Sequence, residues 1–319
     1  MRSVVKRLRK ESAYVLIRFA VWFFRLLPRK AALAIASVFG RVMPFLARRD
    51  YRRAKDQLAL AFGEEKSGQE IRCIAREVFR TLALNFVDTI RLKVMTTEEV
   101  TGVCIPHDMD RCFREYDRGR GIIALSGHIG CWEVMGTYLA GTSMKVDAIA
   151  RKLYDTRLEE LLLDTRESGG MNVISRGENT RQILRAFRDG HLVGMLVDQD
   201  IPNVKGEFVD FFGRPAYTPV APAFLSLRYG VPIVPLFTCR DAGHSHHIFA
   251  GEPVTITPTG DMERDVRLLT AASAKVTEDF IRKHPEQWVW FHQRWKTTPD
   301  ITDSAVRSRE EDIDAPADS

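Results

Sequence analysis

Two patterns of hydrophobic and polar positions divide the chain near residue 120. Before it, apolar residues recur every three or four positions, as in residues 71–86, which is typical of amphipathic helices. After it, short apolar runs alternate with helix-length segments, and the runs are 121–125, 145–151, 171–175, 191–198 and 231–237. This alternation predicts an α/β fold, in which a mostly parallel sheet is flanked by helices. Residues 246–256 are expected to add antiparallel strands.

Polar side chains follow four of these predicted strands. They are His128, Arg151, Arg176 and Asp198. In an open α/β sheet, functional groups collect in a crevice beyond the carboxyl ends of the strands. We therefore expect the four side chains to face one crevice.

The segment SGHIGCWE places His128 between two glycines, five residues before Glu133. On one continuous helix, side chains five apart point about 140° away from each other. They can meet only if the histidine lies in a turn and the helix begins after it. The spacing then predicts a dyad in which Glu133 orients the imidazole and His128 acts as general base on a hydroxyl. Because this pair has no nucleophile of its own, it suits acyl transfer between two bound substrates.

The first 55 residues carry fifteen lysines and arginines but only two acids. Their apolar stretches are rich in aromatic residues and interrupted by arginines, so no uncharged run approaches the roughly 18 to 20 residues of a spanning helix. The pattern predicts helices that lie in a membrane interface, with arginines reaching lipid phosphates. A cleaved secretory signal, a helix buried on the core and a nucleic-acid contact are the alternatives. The interleaved aromatic and aliphatic residues fit lipid better than nucleic acid.

Three segments follow from these patterns. Residues 1–45 are predicted to be amphipathic membrane-associated helices, residues 46–299 a catalytic domain, and residues 300–319 an acidic disordered tail.

The five cysteines form no CxxC pair, which indicates reduced thiols. The histidines of GHSHHI lack a matching acid or cysteine set, and GxSxG, P-loop and GxGxxG motifs are absent. We therefore predict neither a metal nor a cofactor.

Beyond the HxxxxE spacing, four blocks resemble the bacterial lipid A biosynthesis (lauroyl/myristoyl) acyltransferases, in order along the chain. They are SGHIGCWE, GMLVDQD, the segment from FFGRPAYT to VPIVPLF, and PEQWVWFHQRWK. The resemblance runs from about residue 10 to residue 298, and it implies a glycerolipid acyltransferase-like fold. The chain departs from the family at Ile129, Cys131 and Gln57.

The resemblance assigns roles residue by residue. It implies that His128 is the base and Glu133 its partner, and that Arg151 and Arg176 bind phosphate or stabilise the thioester oxyanion. Asp198, Gln199 and Thr218 fall in family blocks and are expected to bind substrate.

The resemblance also implies a membrane-associated O-acyltransferase. The expected acyl donor is an acyl-carrier-protein thioester, and the acceptor is a lipid A precursor or a similar anionic glycolipid. Acyl-CoA as donor, an inositol mannoside as acceptor, and a catalytically inactive membrane-binding module are the alternatives. The expected location is the cytoplasmic face of the inner membrane, in a peripheral or monotopic arrangement without nucleic acid.

Overall fold

A computed structural model describes residues 2–152, 155–176 and 180–299 of the chain. Four long helices come first, as the periodicity predicts, and helices then alternate with strands. The helices are α1 Arg2–Leu26, α2 Arg29–Leu46, α3 Arg48–Phe62, α4 Gly68–Arg91, α5 Thr97–Gly102, α6 Met109–Tyr116, α7 Trp132–Gly141, α8 Thr156–Ser168, α9 Thr180–Arg188, α10 Ala221–Tyr229 and α11 Met262–Lys283.

Seven strands form the main sheet, in the order β1-β9-β8-β2-β5-β3-β4. The nine strands are β1 Cys104–His107, β2 Ile122–Ser126, β3 Val146–Ala150, β4 Met171–Ser175, β5 Leu192–Leu196, β6 Gly206–Phe211, β7 Arg214–Pro219, β8 Ile233–Arg240 and β9 His246–Ala250. All neighbours in the main sheet pair in parallel except β8 and β9. The predicted fold class is therefore confirmed, including the antiparallel strand at 246–250.

The sequence pattern did not predict β1, α6 or the separate hairpin of β6 and β7. β1 has only four residues and includes Pro106, which cannot donate to a ladder and is tolerated at the sheet edge where β1 lies. Such a short strand shows no clear alternation. The β6–β7 hairpin turns through Phe212 and Gly213, both of which have positive φ.

The two faces of the sheet carry different helices. Successive side chains of a strand point to opposite faces. Face A, which carries Val146 and Leu192, forms one apolar cluster with α7. Face B, which carries Val193 and Met195, forms another with α9, α10 and α11. The carboxyl ends of the parallel strands meet at one edge between these layers.

Helix α2 packs closely on α4. Ala32, Leu33 and Ala36 form a buried cluster with Leu84 and Val87. A Cβ added at Gly40 would lie 2.6 Å from the Cα of Arg80, so only glycine permits this approach. The predicted segment 1–45 thus contains a helix, α2, that packs on α4.

The opposite sides of α1 and α2 expose large apolar side chains. They are Val15, Leu16, Phe19, Trp22, Leu26, Ile35, Val38, Phe39, Val42, Phe45 and Leu46, which we call the apolar surface. Within the described residues, no single helix has the length and apolar composition to cross a membrane, although α2 and α3, bent by 88°, pass that test together. The predicted tail at 300–319 lies outside the described residues.

Candidate active site

His128 lies in a tight turn between β2 and α7, as its glycine neighbours predict. A Cβ at Gly130, whose φ is 58°, would lie 2.2 Å from the carbonyl oxygen of Thr238. A Cβ at Gly127 would lie 3.1 Å from Cγ of Asp198. The first glycine of the turn therefore lets Asp198 approach the histidine, and the second lets the turn pack on β8.

Asp198 is the carboxylate that holds His128. Its Oδ1 lies 2.9 Å from His128 Nδ1, and its Oδ2 accepts a 2.8 Å hydrogen bond from the His128 backbone N–H. Trp288 Nε1 donates a third hydrogen bond, at 2.6 Å. Burial raises the pKa of Asp198, but the His128 imidazole and these hydrogen bonds outweigh it and lower the pKa to about 2. Asp198 is therefore ionised at neutral pH.

These contacts fix the tautomer of the imidazole. An ionised carboxylate can only accept hydrogen bonds, so Nδ1 of His128 carries the proton toward Asp198. Gln199 Nε2 also lies 3.1 Å from Nδ1. The Gln199 side chain can accept a hydrogen bond from the ring only if its amide is flipped, so that the oxygen occupies the position of Nε2. The side chain of His128 is 25% exposed, and Nε2 is left as an acceptor toward the adjoining cavity.

Glu133 is bonded to a different partner. Its carboxylate accepts from Arg166 Nε at 2.9 Å and Nη2 at 2.6 Å, and from Trp132 Nε1 at 3.1 Å. Burial alone would lower the pKa of Arg166, but the hydrogen bonds to Glu133 and the charge of Glu133 outweigh it, so the pKa of Arg166 is raised. The structure does not bring Glu133 within hydrogen-bond distance of His128, because the start of α7 turns its side chain toward α8. The His128–Glu133 dyad stays a prediction.

A cavity of about 1160 Å³ opens beside the histidine. Its walls are mainly apolar, and it reaches the ends of the strands, where three of the four expected side chains line it: His128, Arg151 and Arg176. Its polar lining includes His128, Glu133, Arg151, Arg166, Arg176, Gln199 and Lys205. Asp198 lies behind His128 and does not line the cavity.

Two apolar limbs extend from this cavity along the two faces of the sheet. Limb A lies on face A under α7 and α8, and its lining includes Ala124, Gly136, Leu139, Val146, Ala148, Leu162, Met171, Leu192 and Gly194. Limb B lies on face B beside α9, α10 and α11, and its lining includes Ile149, Ile183, Met195, Val220 and Val266. Apolar lining residues thus lie on both faces of the sheet in the cavity that His128 borders.

Arg151 and Arg176 line the cavity just beyond β3 and β4. Burial and the nearby charge of Arg151 lower the pKa of Arg176. Neither guanidinium is bonded to a carboxylate among residues 2–152, 155–176 and 180–299. Two neighbouring arginines without a carboxylate partner suit a phosphate or another anionic ligand.

Thr218 is placed away from the cavity. It is buried in β7, and its hydroxyl accepts a hydrogen bond from Arg294 Nη2. Its expected substrate contact stays a prediction. Arg294 also donates to the carbonyl of Tyr217, so this segment ties the C-terminal block to the hairpin.

Sequence reasoning missed Arg166 and the direct role of Trp288. Arg166 follows Leu162 by four residues on α8, so both side chains lie on the same face of the helix. An arginine on the apolar face of a predicted helix was the signal that could have indicated it. Trp288 is buried, and its indole N–H is bonded to Asp198.

Together the fold and the site define a class of protein: an α/β protein with a carboxylate-held histidine at the mouth of a two-limbed apolar cavity. The family model of the bacterial lipid A biosynthesis acyltransferases matches residues 3–297, so the chain belongs to this family. The predicted family resemblance is confirmed.

Curated relatives act on two kinds of glycolipid. A phosphatidylinositol mannoside acyltransferase of Mycobacterium tuberculosis is 27% identical over 224 residues, which cover 69% of this chain and 66% of the relative. The lipid A biosynthesis palmitoleoyltransferase of Escherichia coli is 26% identical over 284 residues, or 88% of this chain and 89% of the relative. A lipid A biosynthesis acyltransferase 2 of Shigella flexneri is 24% identical, with 82% and 83% covered. The chain thus spans just under two thirds of the mycobacterial relative.

Proposed function

We propose that this protein is an O-acyltransferase that moves a fatty acyl chain from a thioester to a hydroxyl of an anionic glycolipid. The observation that carries the proposal is the position of His128, which Asp198 holds from behind while Nε2 faces an apolar cavity. A binding module has no need of an oriented base at the mouth of a hydrocarbon pocket.

The reaction follows from the tautomer. Nε2 of His128 takes the proton of the acceptor hydroxyl as its oxygen attacks the thioester carbonyl. The ionised Asp198 stabilises the imidazolium that forms. When the carbon–sulfur bond breaks, the imidazolium returns the proton to the departing sulfur. The products are an ester on the glycolipid and a free thiol, and the histidine is again neutral.

The charge and the apolar lining of the cavity support different places for the two substrates. In this proposal the acyl chain of the donor occupies limb A, whose lining under α7 is apolar. Arg151 and Arg176 bind a phosphate of the acceptor or donor. The preferred donor is an acyl-carrier-protein thioester, with acyl-CoA as the alternative. The preferred acceptor is a lipid A precursor.

A second acceptor is favoured by one specific observation. A mycobacterial relative, named as a phosphatidylinositol mannoside acyltransferase, has about the same percentage identity to this chain as a lipid A enzyme, 27% against 26%, over a shorter alignment. An inositol mannoside has the same combination of sugar hydroxyl, phosphate and acyl chains that the cavity suits.

The apolar surface of α1 and α2 supports a membrane location. Aromatic and aliphatic side chains are exposed there, with arginines nearby. Such a surface suits a helix pair that lies in the lipid interface. A membrane location also fits the proposed acceptor, which is itself a lipid. We propose a peripheral or monotopic arrangement on the cytoplasmic face of the inner membrane.

The test is transfer by the purified protein in mixed micelles. Acyl-carrier-protein and CoA thioesters of the same acyl chain are each offered with a lipid A precursor or with an inositol mannoside, and mass spectrometry detects the added acyl group. Ester formation with either acceptor is expected. Thioester hydrolysis alone, or no product with any of the four combinations, would overturn the proposed function.

A further inference from the structure

We infer that Met171, seated against Gly136, forms the end wall of limb A and sets the longest acyl chain that the protein transfers. This inference rests on the proposed function. It adds the residue that determines which acyl donor is used.

The hollow in limb A comes from small residues in one row of the sheet. Gly194 on β5 lies between Ala124 on β2 and Ala148 on β3, since both pair with it in register. All three line the cavity on face A. Three neighbouring strands therefore contribute almost no side-chain volume at this level, and an alkyl chain can pass between the sheet and α7.

Larger side chains close the hollow at the far ends of the strands. Val146, Met171 and Leu192 are the first residues of β3, β4 and β5, and all line the cavity. They lie at the sheet edge opposite His128, which follows β2. An alkyl chain that enters beside His128 and runs along face A therefore meets this layer last.

Met171 is the adjustable member of the layer. A Cβ added at Gly136 would lie 2.3 Å from the sulfur of Met171, so the thioether lies directly against the backbone of α7. Met171 is buried, and its unbranched side chain shifts easily when its neighbours change. The absence of a side chain at Gly136 lets Met171 lie back against the helix and lengthens the limb.

The depth of the limb indicates a medium-length chain. From Leu196 to Leu192 the strand rises about 13 Å, at roughly 3.3 Å per residue. A carbon–carbon bond of about 1.5 Å with near-tetrahedral angles advances about 1.25 Å along an extended alkyl chain. About ten carbons therefore fit below the level at which the strands end.

The experiment compares kcat/KM for a series of saturated acyl thioesters that differ by two carbons, on one acceptor. Met171→Ala removes three heavy atoms from the end wall, and we expect the optimum to move to chains about two carbons longer. Gly136→Ala pushes the thioether into the limb, and we expect kcat/KM for the longest accepted chain to fall about fourfold for each methylene that loses its place. The double variant should recover the longer chains, because the added methyl then meets no thioether.

Met195→Ala is the matched control, because this methionine lines limb B on the opposite face. It should leave the chain-length profile unchanged, and melting temperatures show that each variant is folded. An unchanged profile in folded Met171→Ala would overturn the inference, as would a shift caused only by Met195→Ala. Lack of transfer by the unmodified protein with every thioester would instead defeat the proposed function.

Discussion

Asp198 and Asp88 are buried aspartates that each contact a histidine, but their surroundings differ. Asp198 is bonded to His128 and to the indole N–H of Trp288. Asp88 is bonded to His246, and also to Arg29 at 2.8 Å and Arg240 at 2.8 Å. The first pair borders the cavity, whereas the second joins α2, α4, β8 and β9 in the interior.

Under the proposed function, this difference distinguishes a proton carrier, His128, from a structural contact, His246. Two arginines already balance Asp88, and His246 is fully buried. Burial and Arg240 lower the pKa of His246 to about 4, although its hydrogen bond to Asp88 opposes the change. His246 therefore stays neutral. No arginine is bonded to Asp198 among the described residues, so its charge remains to stabilise a proton on the more exposed His128.

The largest effect is expected from His128→Ala. The change removes the proposed general base, and loss of a positioned base lowers kcat by about 10² to 10⁴. The measurement is transfer of a labelled acyl group to the glycolipid under saturating donor. His107→Ala, which removes a partly buried histidine from the distant edge strand β1, is the control and should retain turnover. Near-normal kcat in folded His128→Ala would refute its role as base.

Asp88→Asn should strongly destabilise the fold. It leaves Arg29 and Arg240 without their shared charge, and breaking a buried ion pair costs about 3 to 5 kcal/mol. The free energy of unfolding in urea measures this loss. Asp50→Asn, at an exposed pair with Arg53, is the control and should change stability by less than about 1 kcal/mol. Equal effects of the two substitutions would contradict a structural role for Asp88.

The sequence was sufficient for six of the seven strands of the main sheet and for the position of His128. Short apolar runs and helix-length spacers repeat over five strands, and local glycines define the turn. The partner of His128 was not predictable in this way, since Asp198 is 70 residues away and reaches the ring through the packing of β2 beside β5. Glu133 is close in the chain, but its direction depends on Arg166 of α8, which local spacing does not contain.

Glu133→Gln separates the predicted dyad from the observed ion pair. If Glu133 acts with Arg166, the substitution leaves the buried Arg166 guanidinium without its charge partner, which costs about 1 to 3 kcal/mol. Glu133→Gln and Arg166→Gln should then lower kcat/KM by similar factors. The double variant should be little worse than either single variant. A loss in kcat as large as that of His128→Ala, with Arg166→Gln nearly unaffected, would favour Glu133 as the partner of the base.

The smallest effect concerns pH and His246. Its pKa is about 4 in the folded protein and about 6.5 in the unfolded chain, so only the unfolded chain takes up this proton between those values. The contribution of His246 to stability is complete above pH 6.5 and is lost as pH falls toward 4. The free energy of unfolding should therefore decrease more steeply from pH 7 to 5 in the unmodified protein than in His246→Gln. Parallel curves for the two proteins would show that protonation of His246 does not contribute to the pH dependence of stability.

The most direct test of the account is a double-mutant cycle between His128 and Asp198 in kcat for acyl transfer. Asp198→Asn keeps the size of the side chain but removes the charge that stabilises the imidazolium, so alone it should lower kcat by about 10² or more. In the His128→Ala background the same substitution should have little further effect, because the two residues serve one proton transfer. Losses that simply multiply would show that Asp198 does not act through His128.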